Sequence, residues 1–129
     1  MSAERDAVLT AQYVALTTYR RDGTPVTTPV WAAAEGTSLY LFSNAAAGKV
    51  KRLRNSSRAT VAPCTATGKI TGAQLPAEAF ILASDQMPKV WKLLTKKYGI
   101  AARLFMVGDR ARALLRMQPS AGIEVRLTP

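Results

Sequence analysis

Two turn signals divide the first half of this chain into three β segments, and this spacing restricts the fold more than any other feature. Residues 20–23 read RRDG, a hairpin turn of the Asp-Gly kind, and residues 35–36 read EG. Pro29 lies inside the second segment and has no N–H to donate, so we expect that segment at a sheet edge or a bulge. The predicted strands are Tyr13–Tyr19, residues 24–34 and residues 38–42.

The remainder of the chain alternates helical and extended patterns. We expect a helix at residues 45–53 and strands at residues 58–65, then 68–72 and 77–83 as two pieces. A helix capped by Asp85, with Pro88 in its first turn, runs through Tyr98. A second helical stretch covers residues 101–117, broken near Gly108, and the chain closes with a strand at residues 122–127.

These elements predict one domain, residues 1–129, of mainly β structure with α. Its six or so antiparallel strands suggest a small split β-barrel with a helical excursion near the C-terminus. Closure removes sheet edges, so we expect the last strand to pair with the first.

The predicted helix after the third strand carries positive charge near its N-terminus, where cations are unusual. Ser43 and Asn44 offer a cap, and Lys49, Lys51 and Arg52 fall in the first turns, with Arg54 just beyond. Cations are disfavoured at a helix N-terminus, whose N–H groups bind anions. The pattern therefore indicates either an anion site, centred on Lys49 and Arg52, or a solvated basic helix.

The chain as a whole is strongly basic. It has 18 Lys and Arg against 8 Asp and Glu, a formal charge of +10, spread over the folded body. Nucleic acid, an anionic membrane or a multiply charged small molecule could justify this charge. Aromatic residues are few (7%) and fall on apolar faces, and we find no basic amphipathic helix. We therefore expect a small-molecule partner, no nucleic acid and no membrane.

The residue types exclude several chemistries. The chain has no histidine and a single cysteine, Cys64, so an imidazole base, a disulfide within the chain and a thiolate zinc site are absent. The carboxylates are scattered, so we identify no catalytic residue and expect no metal. If the chain is an enzyme, a cofactor supplies the chemistry. With no signal peptide and no long apolar run, a cytoplasmic location is expected.

Three motifs carry a resemblance to a known family. They are R-x-D-G-x-P from Arg20, F-S-x-x-x-x-G-K-x-x-x-L-R from Phe42, and W-x-L-L-x-K-K-Y-G-I-x-A-R-L-F from Trp91. In order and spacing the chain resembles the pyridoxamine 5′-phosphate oxidase-like split β-barrel superfamily, an FMN-binding-like fold. It is most similar to the actinobacterial branch that uses the deazaflavin coenzyme F420.

The resemblance implies a set of cofactor-binding residues. Lys49 and Arg52, following Gly48 of the motif, would hold the cofactor phosphate. Further cations would meet the remaining negative charges of a deazaflavin. Ser43 and Asn44 would line the phosphate and the ribityl-like chain of the cofactor, and Thr28, Pro29, Val30 and Trp31 would lie beside its ring system. Thr17 and Thr18 would flank the same groove. Lys51, Arg54 and Arg58 would lie along the negatively charged tail of the deazaflavin.

The resemblance also implies an activity and an assembly. Such proteins are homodimers with the cofactor groove at the subunit interface, and this one would transfer a hydride between F420 and a small organic acceptor. FMN in the same groove, and a carrier that binds F420 without catalysis, are the alternatives. A basic nucleic-acid-binding domain is a more distant one. Thr28 and Trp31 could equally be ordinary strand and core residues.

Overall fold

The computed structural model describes residues 3–44, 47–115 and 120–128, except the side chain at position 113. It contains four α-helices and seven β-strands among these residues, and a 3₁₀ turn at Ser84–Gln86. The helices are α1 (Ala3–Thr10), α2 (Gly48–Asn55), α3 (Met87–Tyr98) and α4 (Ile100–Leu114). The strands are β1 (Tyr13–Tyr19), β2 (Pro25–Val30), β3 (Ala33–Glu35), β4 (Ser38–Asn44), β5 (Arg58–Cys64), β6 (Leu75–Ile81) and β7 (Ser120–Leu127).

The strands form a single antiparallel sheet in the order β2-β1-β5-β6-β7-β4-β3. Its two edge strands, β2 and β3, are separated in sequence only by Trp31 and Ala32, so the sheet must curl until its edges approach each other. The predicted mainly β split barrel is therefore confirmed, as is the edge position of Pro29. The predicted closure is wrong, because β7 pairs with β6 and β4 rather than with β1.

Two predicted elements of the first half have different bounds. The strand expected at 24–34 is two strands, because the chain bends at Trp31 and Ala32 to pass from one sheet edge to the other. The helix expected from residue 45 begins at Gly48, and residues 45–46 lie outside the described part. Ser43 and Asn44 belong to β4 and do not cap α2, whose N-cap is Ala47 without a side-chain hydrogen bond.

The second half also differs from expectation in several elements. Only a bridge between Cys64 and Ile70 forms in 68–72. Asp85 lies in the 3₁₀ turn, and the residue preceding α3 is Gln86, although Pro88 occupies the first turn as predicted. Helix α4 continues through Gly108, and the predicted end at Met117 lies outside the described residues. Helix α1 was not predicted.

The apolar residues divide into two clusters on opposite faces of the sheet. The inner cluster fills the barrel and includes Leu16, Leu41 and Ile123, each at most 1% exposed. The outer cluster lies where α3 covers β3 and β4 and α4 packs against α3, around Tyr40, Trp91 and other side chains. No helix of the described chain is long and apolar enough to cross a membrane.

Candidate functional site

Helix α2 lies across one end of the barrel, where its cations meet two buried hydroxyls. Strands β1 and β4 direct Thr18 and Ser43 towards the same side as their core residues, because side chains alternate along a strand. The Nε of Arg52 donates to Thr18 Oγ1 at 2.6 Å, and the Nζ of Lys49 lies 3.4 Å from Ser43 Oγ. The structure thus brings together four of the predicted residues.

The late start of α2, at Gly48 instead of residue 45, changes the charge argument made from sequence. In an eight-residue helix Lys49 occupies the first turn, while Arg52 and Arg54 fall in the last turn, where cations are favoured. The guanidinium of Arg52 nevertheless reaches back over the first turn. A Cβ on Gly48 would lie 2.7 Å from its Nη1, so the missing side chain leaves room for Arg52 beside Lys49.

These cations repel one another. Burial lowers the pKa of Lys49, and the nearby charge of Arg52 lowers it further. The pKa of Arg52 is likewise lowered, first by burial and then by the charge of Arg20. The salt bridges of the described chain join Lys89 to Glu35 and Arg126 to Glu124, so no described carboxylate neutralises the cluster. An anion bound here would relieve both the desolvation and the repulsion.

A buried hydroxyl on the edge strand is also without a partner. Thr27 Oγ1 lies 2.7 Å from Thr17 Oγ1 on the outward side of β2 and β1. The next residue, Thr28, faces inward, and its buried Oγ1 has no hydrogen-bond partner among the described residues. Such a group costs free energy unless a ligand satisfies it. This unsatisfied hydroxyl and the cation cluster fit a polar, phosphate-bearing cofactor.

The remaining residues of the predicted ring-binding stretch do not share one surface. Val30 faces inward with Thr28 and packs against the barrel core, whereas Pro29 is exposed on the other side. Trp31 follows β2 at the bend and stacks on Tyr98, with ring centroids 4.7 Å apart and planes 6° apart. Phe105 meets Trp31 edge-on at 5.5 Å, so Trp31 is held largely by the helical excursion.

The bend at Ala32 is fixed by Lys97 and Tyr98, which the sequence analysis placed in the third motif and at the end of a helix. Lys97 Nζ donates to the carbonyls of Ala11 at 2.7 Å and Ala32 at 2.6 Å. The hydroxyl of Tyr98 accepts the N–H of Ala32 at 3.0 Å and lies 2.9 Å from the carbonyl of Gln12. The K-K-Y part of the motif therefore positions the edge strand, a role that the sequence analysis did not assign to it.

The outlying cations separate into two groups. Lys51 and Arg54 are exposed and lie on other faces of α2 than Lys49 and Arg52. Arg58 lies over the ring of Tyr19, 4.0 Å from its centroid, in a cavity of about 440 Å³ that Arg20 and Arg21 also line. Arg20 is also near enough to Arg52 for its charge to lower the pKa of Arg52. Sequence reasoning assigned both arginines of the turn to the hairpin and missed this role. Asn44 lies at the exposed end of β4.

Fold and site together define a split-barrel domain in which Lys49 and Arg52 lie beside the buried hydroxyls of Ser43 and Thr18. The sequence profile of the pyridoxamine 5′-phosphate oxidase family matches residues 1–126, so the chain belongs to this family. The family includes oxidoreductases, and its fold binds flavins. No curated protein matches the sequence.

Solved structures with the same fold have diverse ligands in their names. A FAD-binding protein from Mesorhizobium loti is 20% identical, with a TM-score of 0.66, covering 100% of this chain and 91% of its own. A protein named F420 reductase is 16% identical, with a TM-score of 0.63, covering 100% and 96%. The heme storage protein HutZ from Vibrio cholerae is 10% identical, with a TM-score of 0.69, covering 97% and 87%.

Proposed function

We propose that this protein is an oxidoreductase that binds the deazaflavin F420 in the groove between α2 and the edge strand β2. The observation that carries the proposal is the cluster of Lys49, Arg52 and Arg20, which no described carboxylate neutralises. Charge-assisted hydrogen bonds to phosphate are the strongest interactions available to such a cluster. The structural likeness to an F420 reductase supports the same cofactor.

The side chains of the groove have separate roles in this proposal. Lys49 and Arg52 hold the phosphate, and Ser43 and Thr18 orient these two cations through the hydrogen bonds already present. The inward hydroxyl of Thr28 pairs with a polar group of the cofactor. When bound, the deazaflavin supplies hydride transfer to a small organic acceptor. We assign no acid or base to the groove, so in this proposal the protein orients the reactants and does not exchange protons with them.

The cavity next to the phosphate cluster favours a deazaflavin over FMN. Arg20, Arg21 and Arg58 line it, and Arg20 is close enough to Arg52 to lower its pKa. A ligand held at Lys49 and Arg52 can therefore extend further negative charges towards three more cations. FMN, in contrast, needs only the cluster of Lys49 and Arg52. Of the cations expected along the cofactor tail, this placement supports Arg58 and gives no role to Lys51 and Arg54.

A titration with three ligands tests the proposal. F420, FMN and a random single-stranded oligonucleotide are each titrated into the wild-type protein and the Lys49→Ala and Arg52→Ala variants. Each variant should bind F420 at least about tenfold more weakly, since a charged hydrogen bond contributes roughly 1.5–3 kcal/mol. Lys51→Ala is the matched control, because Lys51 is an exposed lysine of the same helix, and it should bind as the wild type does.

The outcomes separate the alternatives. If FMN binds more tightly than F420, the cofactor of this site is a flavin and not a deazaflavin. If the oligonucleotide binds tightest and Lys49→Ala leaves F420 affinity unchanged, the oxidoreductase proposal is wrong. Anaerobic mixing with reduced F420 and a panel of quinones, enones and tetrapyrroles then tests catalysis. No turnover across the panel, despite tight binding, would indicate a carrier.

A further inference from the structure

A cleft separates helices α3 and α4 at the end far from their connection. The helices are joined at Gly99, and close to this joint Ala102 is fully buried in the outer cluster. Between the beginning of α3 and the middle of α4 they leave a cavity of about 380 Å³. Small-molecule pockets have volumes of roughly 300–1,000 Å³. The cleft therefore has the size for one small ligand, and it is too small for a segment of another protein.

The floor of the cleft is apolar. Trp91 lines it and is 6% exposed, and the half-buried Met87 and Met106 line it as well. A Cβ on Gly122 would lie 2.8 Å from the Sδ of Met87, so the missing side chain lets Met87 pack against β7. Thioethers are polarizable and make favourable contacts with aromatic rings. A flat aromatic group would therefore pack well on this floor.

Two cations line the same cleft, one from each helix. Lys92 on α3 and Arg110 on α4 are both exposed, and the salt bridges of the described chain involve neither of them. Asp109 also lines the cleft, but its Oδ1 accepts the N–H of Ser120 at 2.6 Å. Two cations against one carboxylate leave an excess of one positive charge. A guanidinium binds a carboxylate through two parallel hydrogen bonds, so the cleft favours a ligand with one carboxylate.

We propose that the cleft between α3 and α4 binds an aromatic carboxylate. The ring lies on the floor formed by Trp91 and the two methionines, and the carboxylate pairs with Arg110 and Lys92. The lining side chains belong to the helical excursion, and none of them is part of the proposed cofactor site. The inference is therefore independent of which cofactor the protein uses.

Isothermal titration calorimetry of the full chain with cinnamate, a flat aromatic carboxylate, tests the cleft. Arg110→Gln should bind cinnamate at least about fivefold more weakly than the wild type, because it removes a charged hydrogen bond. Arg112→Gln is the matched control, since it removes an exposed arginine of the same helix that does not line the cleft. It should bind as the wild type does. Lys49→Ala should also leave cinnamate affinity unchanged, which separates the cleft from the cofactor groove.

Two related compounds test the class of ligand. Cinnamamide has the same shape without the charge, and octanoate has the charge without the ring. Each should bind at least about fivefold more weakly than cinnamate, because each lacks one of the two interactions. Octanoate binding more tightly than cinnamate would overturn the aromatic class, and equal affinity for cinnamamide would overturn the role of the cations.

Two further measurements locate the bound ligand. Thr95 lines the cleft, so the larger side chain of Thr95→Leu should occupy part of it and weaken cinnamate binding, while circular dichroism checks the fold. The chain has two tryptophans, and Trp31→Phe assigns their indole NMR signals. Cinnamate should shift the signal of Trp91 much more than that of Trp31. No measurable binding at millimolar cinnamate, unchanged affinity in Arg110→Gln, or weaker binding in Lys49→Ala would overturn the proposal.

Discussion

Two lysines of this molecule are alike in burial and opposite in their surroundings. Lys97 on α3 and Lys49 on α2 are both half-buried, and burial lowers the pKa of each. Lys97 donates to two backbone carbonyls at 2.7 and 2.6 Å, whereas Lys49 has only a hydroxyl at 3.4 Å and an arginine beside it. The fold satisfies Lys97 within the chain, whereas Lys49 has no such carbonyl partners among the described residues.

The same contrast appears within two consecutive residues of β2. Thr27 pairs its hydroxyl with Thr17, and Thr28 buries its hydroxyl without a described partner. A group satisfied within the chain contributes to stability, and an unsatisfied one reduces it. Lys49 and Thr28, which lack such partners, belong to the proposed cofactor site. Replacing one of them should therefore weaken cofactor binding without lowering the stability of the fold.

The largest expected effect is on Lys97. Lys97→Met keeps the apolar stem but removes the donor to the carbonyls of Ala11 and Ala32. The free energy of unfolding, measured with urea, should fall by about 2 kcal/mol, because two charged hydrogen bonds are lost and the hydroxyl of Tyr98 remains to donate to the carbonyl of Ala32 alone. Lys96→Met, an exposed neighbour on α3, should change it by less than about 0.5 kcal/mol. Equal stability of the two variants would mean that Lys97 does not hold the bend.

A smaller effect separates the two threonines. Thr27→Val should lower the free energy of unfolding by about 1 kcal/mol, because it leaves Thr17 without its partner. Thr28→Val should leave stability unchanged or slightly raised, since it removes an unpaired hydroxyl, yet weaken F420 binding several-fold. Urea unfolding measures the stability of both variants, and an F420 titration measures their affinity for the cofactor. Weaker binding in Thr27→Val alone would place the cofactor on the other face of β2.

The smallest effect is a pH dependence of F420 affinity. A bound anion requires the charged form of Lys49, and its pKa lies below the ordinary 10.5 in the free protein. As pH rises through that lowered pKa, affinity should fall, because binding must then take up a proton. Stability of the free protein should rise over the same range, since the unfolded chain binds more protons there.

Two variants control for this pH dependence. Lys49→Arg stays charged, so its affinity should be nearly constant between neutral pH and pH 10, while Lys51→Arg should behave as the wild type. A wild-type affinity that does not change with pH would exclude Lys49 from the anion site.

Local sequence signals predicted the parts of the fold that depend on local chemistry. The bounds of β1 were correct, because apolar residues fill a segment that a strong turn follows. Pro29 placed its strand at an edge, since a residue without an N–H cannot lie between two strands. Predictions failed where distant contacts decide. Gly108 was predicted to break the helix, but α4 continues through it. Ala102 and Met106 pack in the outer cluster before it, and Asp109 accepts the N–H of Ser120 after it.

The candidate cofactor site could likewise be predicted only as far as neighbouring residues define it. The sequence by itself determined the family and most of the barrel's strands, and it placed Lys49 and Arg52 on one helix, since turn chemistry, alternation and motif spacing are properties of neighbouring residues. Only the tertiary structure brought Arg20 beside Arg52, joined Lys97 to the bend at Ala32, and left Thr28 unpaired. These depend on which residues meet across the barrel, and residues far apart in the chain are brought together only when the sheet curls.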